Sequence, residues 1–368
     1  MKWLTAIFLL VSVMSASCES LRFYIGTYTG NTGSRGIYSG LLDADTGALH
    51  GIDLAAEAVN PSFLAVAPDG RTLYAAVEAA SGAVGAFRVG ENGRLTALNT
   101  VPSGGAGACH VSVDRAGRHV FVANYGGGNV SALAVEPDGS LGKHSDFVQF
   151  SGSGPHPTRQ KQSYAHAIAS DAGDEFVYVC DLGSDKVWSF RFDKQSGSLT
   201  ATTPQGFGAV PPGSGPRHLA FHPNGRFVYA NNEMGLSVTA FAREPATGEL
   251  TALGTVPTSE KPTGPLDGVT TAEILCHPNG RWLYVSSRGD DLIAVYAIAE
   301  DGTLRLIENI PAGVQIPRGM ALDPTGRWIV VAGQKDNRVT SLKIDAETGR
   351  LTPSGHEAVV PAPVCVVF

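Results

Sequence analysis

A seven-bladed β-propeller, all-β with four antiparallel strands per blade, is the fold that this 368-residue sequence predicts. Three observations carry that expectation: one hairpin pattern recurs along the chain, most copies are followed by a closing signal, and the two termini complete each other. The clearest copy of the hairpin spans residues 213–233. It has an alternating run at 217–221, the turn His222-Pro223-Asn224-Gly225, and an apolar run at 227–230 that ends on polar residues. Alternation suits a half-buried strand and Pro-Asn-Gly is turn chemistry, so the stretch reads as a β-hairpin.

Aligned on the turn glycine, the copies read Pro68-Asp69-Gly70, Arg115-Ala116-Gly117, Asp171-Ala172-Gly173, Pro223-Asn224-Gly225, Pro278-Asn279-Gly280 and Pro324-Thr325-Gly326, at intervals of 47, 56, 52, 55 and 46 residues. Each unit carries a first strand, the turn, a second strand, a third strand and a fourth. A closing signal of the type Thr247-Gly248-Glu249-Leu250 recurs as Asn92-Gly93-Arg94-Leu95, Ser196-Gly197-Ser198-Leu199, Asp301-Gly302-Thr303-Leu304 and Thr348-Gly349-Arg350-Leu351. Four strands per unit of this length is the pattern of a propeller blade. Residues 21–52 hold a second strand at 22–26, a third at 36–42 and Thr46-Gly47-Ala48-Leu49, but no first strand. Residues 361–368 hold only a first strand. Joined, they make a seventh blade and leave no open sheet edge between the chain ends. That complementarity argues against a pair of β-sandwiches or an open solenoid. Residues 150–163, rich in Gly, Pro, Ser and His, depart furthest from the repeat and should form a loop over one face.

Composition agrees and narrows the function. The 45 glycines against 17% charged residues indicate many tight turns between short strands. Net charge is −7 and no basic cluster exceeds Arg159-Gln160-Lys161, so nucleic-acid binding lacks its electrostatic footprint. Residues 1–18 read as a secretory signal: Lys2, an apolar run at 3–14, then Ser15-Ala16-Ser17, with a run too short to span a bilayer. Residues 19–368 are then expected to form one exported domain, periplasmic or secreted. Cys18 stands where a bacterial lipoprotein carries its lipid anchor, although Ser15 replaces the Leu usual three places before it. Cys109, Cys180, Cys276 and Cys365 are widely spaced and form no C-x-x-C pair, so zinc and redox motifs are unsupported and buried free thiols are the plain reading. Oligomeric state has no signature here.

The copies differ at positions that should line the channel. Seven places before the turn glycine stand Phe63, His110, His166, His218, Glu273 and Gly319, preceded by Ser62, Cys109, Ala165, Arg217, Ala272 and Arg318. Eight places after it, at the end of the second strand, stand Glu78, Tyr125, Asp181, Glu233, Arg288 and Gln334, with Tyr28 in the split blade. First and second strands are antiparallel neighbours, so these columns meet at one end of the channel. Each His alone is an ordinary core residue, and Glu78 or Asp181 alone an ordinary partner for nearby arginines or amides. A ring of histidines, carboxylates and arginines together is costly as filler and is expected of a ligand pocket. Signatures of serine hydrolases, zinc proteases and nucleotide-binding loops are missing from the sequence.

Residues 24–29, 60–78, 109–130, 213–233 and 272–291, with Arg159-Gln160, resemble the seven-bladed propeller lactonase family, which includes bacterial 6-phosphogluconolactonases and fungal carboxymuconate cyclases. The resemblance covers essentially all of the chain after residue 18. It implies His166, Arg217, Glu233 and Arg288 as catalytic residues, acting on a small lactone without metal or other cofactor. Many relatives carry two histidines where this chain has Tyr164-Ala165-His166, and Asn where it has Ser287 before Arg288. The expected chemistry is hydrolysis of a sugar-acid lactone, phosphorylated or not. Arg217 and Arg288 would hold the anionic group and the oxyanion, while His166 would activate water and Glu233 would orient it or pass a proton, or these last two would exchange roles. His110, Tyr125, His218, Glu273 and Gln334 would shape the substrate pocket. Cycloisomerisation of a carboxymuconate, or an exported propeller that only binds, are the alternatives.

Overall fold

The computed structural model describes residues 20–203, 205–259 and 268–368; residues 1–18, expected to be a signal and to include Cys18, lie outside them. Seven antiparallel sheets surround a central channel. The inner strands are Pro61–Val66, Ala108–Val113, Ala165–Ser170, Pro216–Phe221, Thr270–Cys276, Pro317–Leu322 and Pro363–Val367, and each packs on the next around a closed ring. Blades 1 to 6 follow that order; the seventh joins Pro363–Val367 to Ser20–Thr27, Gly36–Asp43 and Leu49–Glu57. Ring closure by the C-terminal strand is therefore as the sequence implies. Blade 3 departs from four strands, because its outer strand is broken into Leu199–Ala201 and Phe207–Ala209. No helix among the described residues is long and apolar enough to cross a membrane.

The repeat glycines have distinct duties. At each hairpin turn a left-handed residue closes an N–H···O=C bond, as from Gly225 to His222 at 2.9 Å, and glycine takes that φ without steric cost. The closing-signal glycines lock blade to blade. A Cβ on Gly248 would lie 2.2 Å from the Phe176 ring, and one on Gly302 would lie 2.3 Å from that of Phe227. Their carbonyls accept the hydroxyls of Tyr178 and Tyr229 from the preceding blade, at 3.0 and 3.2 Å. Tyr284 and Gly349 repeat the pair at 3.0 Å. Glycine is required there because an aromatic ring occupies the space of its side chain.

One turn is out of register with its glycine. In blade 3 the left-handed position is held by Asp174 (φ 52°), whose N–H bonds Asp171 O, and not by Gly173. Every position counted from Gly173 therefore shifts by one. Ala167 and not His166 matches His110 and His218, and Leu182 and not Asp181 matches Tyr125 and Glu233.

The inner strands share a second feature. In all seven blades the pairing of inner and second strands breaks at the start of the inner strand, as between Ala108 and His110, or Pro216 and Leu219. A bulge of this kind re-aims the extra residue, so two consecutive side chains in each blade can serve the channel. Phe23, Ile25 and Val366 are buried in the closing blade and pack with Trp328 and Val330 of blade 6. Truncation after Val360 should abolish the cooperative thermal transition, since it opens the ring and bares the Ser20–Thr27 edge. Retention of a single sharp melting transition by calorimetry would show that closure is dispensable.

Candidate active site

The bulges and the one-residue correction sort the channel side chains into three rings. The lower ring is Phe63, His110, Ala167, His218, Glu273 and Gly319. The ring above it is Ser62, Cys109, His166, Arg217, Ala272 and Arg318. The rim is Glu78, Tyr125, Leu182, Glu233, Arg288 and Gln334, with Tyr28 in the closing blade. A cavity of about 430 Å³ opens above them, lined by Glu78, Cys109, Tyr125, Arg159, His166, Glu233, Thr270, Arg288 and Arg318. A larger hollow of about 950 Å³ lies between the turns of blades 1 and 2, around Pro68, Asp69, Arg115 and Gly117. None of the ring residues reaches it, and it holds exposed turn side chains without a converging set.

Glu233 is the centre of the cavity wall. Its backbone N–H is bonded to Gly215 O at 2.7 Å. Oε1 accepts from Arg159 Nη2 at 2.6 Å, while Oε2 lies 3.2 Å from both Arg217 Nε and Arg288 Nη2 and 4.0 Å from His166 Nε2. Burial alone would raise its pKa, but Arg288, Arg217, His166 and Arg159 outweigh burial and hold the carboxyl well below the usual carboxylate range. Glu233 is thus an ionised anchor and a poor proton donor. His166 is held the other way: burial, aided by Arg217 and His218, keeps its imidazole well below its ordinary range and uncharged. Burial brings Arg288 down to about 10 against the pull of Glu233, so it remains a cation.

Arg318 faces this cluster across the cavity. Its Nη2 donates to Tyr28 Oη at 2.9 Å, and Tyr28 donates in turn to Glu78 Oε2 at 2.7 Å. Four guanidiniums (Arg159, Arg217, Arg288, Arg318) against the carboxylates of Glu78 and Glu233 leave a formal excess of two positive charges. A low-dielectric wall concentrates that field on a bound anion.

The structure brings His166, Tyr125, Glu233 and Arg288 to the cavity surface. Arg217 sits beneath, buried, with Nη1 on Ala272 O, and supports Glu233 from below. His110, His218 and Glu273 lie deeper and fill the channel. Phe63 stacks on His110 at 4.2 Å between centroids, His110 meets His218 edge-on at 5.3 Å, and Glu273 Oε1 lies 2.7 Å from His218 Nδ1. Gln334 is half-buried, with its N–H on Ile316 O, and does not line the cavity. Asp181 is spent on local structure, accepting from Tyr164 N, just before the inner strand, at 2.7 Å and from Gly183 N on its own turn at 3.0 Å. Two cavity arginines were not among the expected site residues. Arg318 stood in a channel column, and its charge was the available signal. Arg159 comes from the 150–163 loop, outside the strand periodicity that located the others. Cys109, Cys180, Cys276 and Cys365 are free thiols.

Over residues 22–368 the chain matches the model of the lactonase family described as a 7-bladed β-propeller, and it belongs to that family. It is 35% identical over 348 residues to a 6-phosphogluconolactonase of Bacillus subtilis, covering 94% of this chain and 97% of that one. It is 30% identical over 344 residues to a 6-phosphogluconolactonase of Formosa agariphila, covering 92% and 96%. Among solved structures it resembles a periplasmic gluconolactonase of Pseudomonas aeruginosa, with a TM-score of 0.88, 31% identity, and coverage of 95% of this chain and 99% of that one.

Glu273 gives the lower ring a titration that can be read. Burial raises its pKa from 4.5 to about 7, against the opposing pull of Arg217, the Ile274 N–H, His110 and Arg318. A carboxyl whose folded pKa is raised adds stability below its unfolded value and loses it as pH rises through the folded value. The melting temperature of the wild type relative to Glu273→Gln should therefore fall between pH 4.5 and about 7 and level off above. A difference that stays constant over that range would show that Glu273 ionises as in the unfolded chain.

Proposed function

We propose that the chain hydrolyses a sugar-acid lactone, with an anionic lactone such as 6-phosphogluconolactone preferred over neutral gluconolactone. The observation that carries this reading is the guanidinium-rich cavity around an uncharged His166 and an ionised Glu233. The 6-phosphogluconolactonases among the relatives support the reaction class, and the excess positive charge supports an anionic substrate. Arg318 and Arg159 would hold the anionic substituent. Arg288 would stand beside the lactone carbonyl and stabilise the oxyanion as it forms. His166 would take a proton from the attacking water through Nε2, and Glu233, 4.0 Å from that nitrogen, would stabilise the resulting imidazolium. The C–O bond of the tetrahedral intermediate then breaks, and the same proton passes from His166 to the leaving ring oxygen to give the open hydroxy acid. Arg217, buried on Ala272 O, would keep Glu233 in place and not touch the substrate.

Export is part of the proposal. The signal-like residues 1–18 and the periplasmic gluconolactonase among the structural neighbours both support it.

The test is pH-stat hydrolysis of gluconolactone and 6-phosphogluconolactone by residues 19–368, corrected for spontaneous opening. The phosphorylated lactone should turn over with the higher kcat/KM. His166→Ala should lower kcat by roughly 10²–10⁴-fold, and Arg288→Met by roughly 10²–10³-fold. Equal rates for wild type and His166→Ala would remove His166 from the mechanism. A preference for the neutral lactone would remove the anion subsite.

A further inference from the structure

Arg159 is the one guanidinium on Glu233 that no blade strand carries, and the loop that bears it is pinned from beneath. Gln160, the next residue, is 1% exposed. Its Nε2 donates to Leu182 O at 2.8 Å and to Asp185 Oδ1 at 2.7 Å, and its Oε1 accepts from His156 N at 3.1 Å. Gly154 lies so close that a Cβ there would sit 2.4 Å from Gln160 Oε1. Asp185 is buried and left-handed at φ 56°. Besides Gln160 it accepts from Gly215 N at 2.8 Å and Gly213 N at 2.7 Å. Gly215 O holds the Glu233 N–H, and the strand that starts at Pro216 carries Arg217.

We propose that Gln160 and Asp185 form a latch that positions Arg159 against Glu233. One amide and one carboxylate tie the Arg159 loop to the loop that anchors both Glu233 and Arg217, so these groups are set in a common frame. Neither latch residue lines the cavity, so both are positioning residues. A buried polar network with its bonds satisfied specifies one arrangement, which a loop without strand pairing otherwise lacks. The loop is on this account a fixed wall of the site and not a lid. The kinetic part of the proposal rests on the lactonase reading above; the structural part does not.

Gln160→Met keeps the length of the side chain and removes its hydrogen bonds. Two readouts apply to it in the protein spanning residues 19–368. Trypsin cleavage after Arg159 or Lys161, followed by mass spectrometry, should be slow in the wild type and at least about tenfold faster in the variant. With a confirmed lactone, kcat/KM should fall by about 10–100-fold in the wild-type background, but by less than about twofold where Arg159 is already Ala. Equal losses in both backgrounds, or none in the first, would overturn the positioning role. An unchanged cleavage rate would overturn the latch itself. Faster cleavage in a protein with no lactone turnover would sink the functional reading and leave the latch standing. Asp185→Asn is the second variant, since it turns one acceptor into a donor facing N–H groups, and it must show the same dependence on Arg159. If neither variant folds, the pair serves the fold and the proposal is overturned.

Discussion

The candidate active site depends on a break in β-pairing. A regular strand turns alternate side chains to opposite faces, so each inner strand would offer the channel only every second residue. The bulge at the start of each inner strand lifts that limit. It lets Cys109 with His110, Arg217 with His218, and Ala272 with Glu273 serve two stacked rings. The upper ring meets the rim and its cavity; the lower ring closes the channel below. With one polar position per blade, either the cavity wall or the plug beneath it would be lost.

The two rings solve opposite electrostatic problems. In the lower one, burial makes charge expensive and shifts each titratable side chain toward its neutral form. His110 is brought down to about 4 by burial, His218 is held well below its ordinary range, and Glu273 is raised to about 7. Two histidines and a carboxyl can then fill the channel beside Phe63, which both imidazoles touch. Around Glu233 the arginines cannot lose their charge, so the carboxylate stays ionised among them instead. Removing Glu233 would leave the buried Arg217 and the partly buried Arg288 without their counter-charge, a loss of several kcal/mol as a rule for a buried pair. The same carboxylate therefore supports both the fold of the rim and the chemistry assigned to it.

Most of the fold was legible because a propeller writes each blade in the same local terms. Turn glycines, alternating runs and complementary termini each report on short-range geometry, and all of them agreed. The failures were local too. Asp174 takes the left-handed turn position because a short polar side chain tolerates that φ, and Gly173 beside it drew the alignment one place away. That slip put His166 in the wrong ring and offered Asp181 in place of Leu182. The duty of the closing glycines was hidden, since the aromatic ring that excludes a Cβ belongs to the blade before. Gln334 shows the limit of a column: it holds the rim position in its blade, yet its side chain is not part of the cavity wall.

Arg159 marks a different kind of limit. Strand periodicity finds residues whose direction is set by pairing, and residues 150–163 have no strand partner. Ordering an arginine on an unpaired loop costs backbone and side-chain entropy with no ladder of strand hydrogen bonds to offset it. That arginine nonetheless supplies the guanidinium on Oε1 of Glu233, whereas Arg217 and Arg288 lie on Oε2. Its order has to come from hydrogen bonds made by the loop itself, and Gln160 and Asp185 make them where no solvent competes. The Arg159-Gln160 pair thus divides its work by direction: one side chain points up to the carboxylate, and the other points down to hold the first in place.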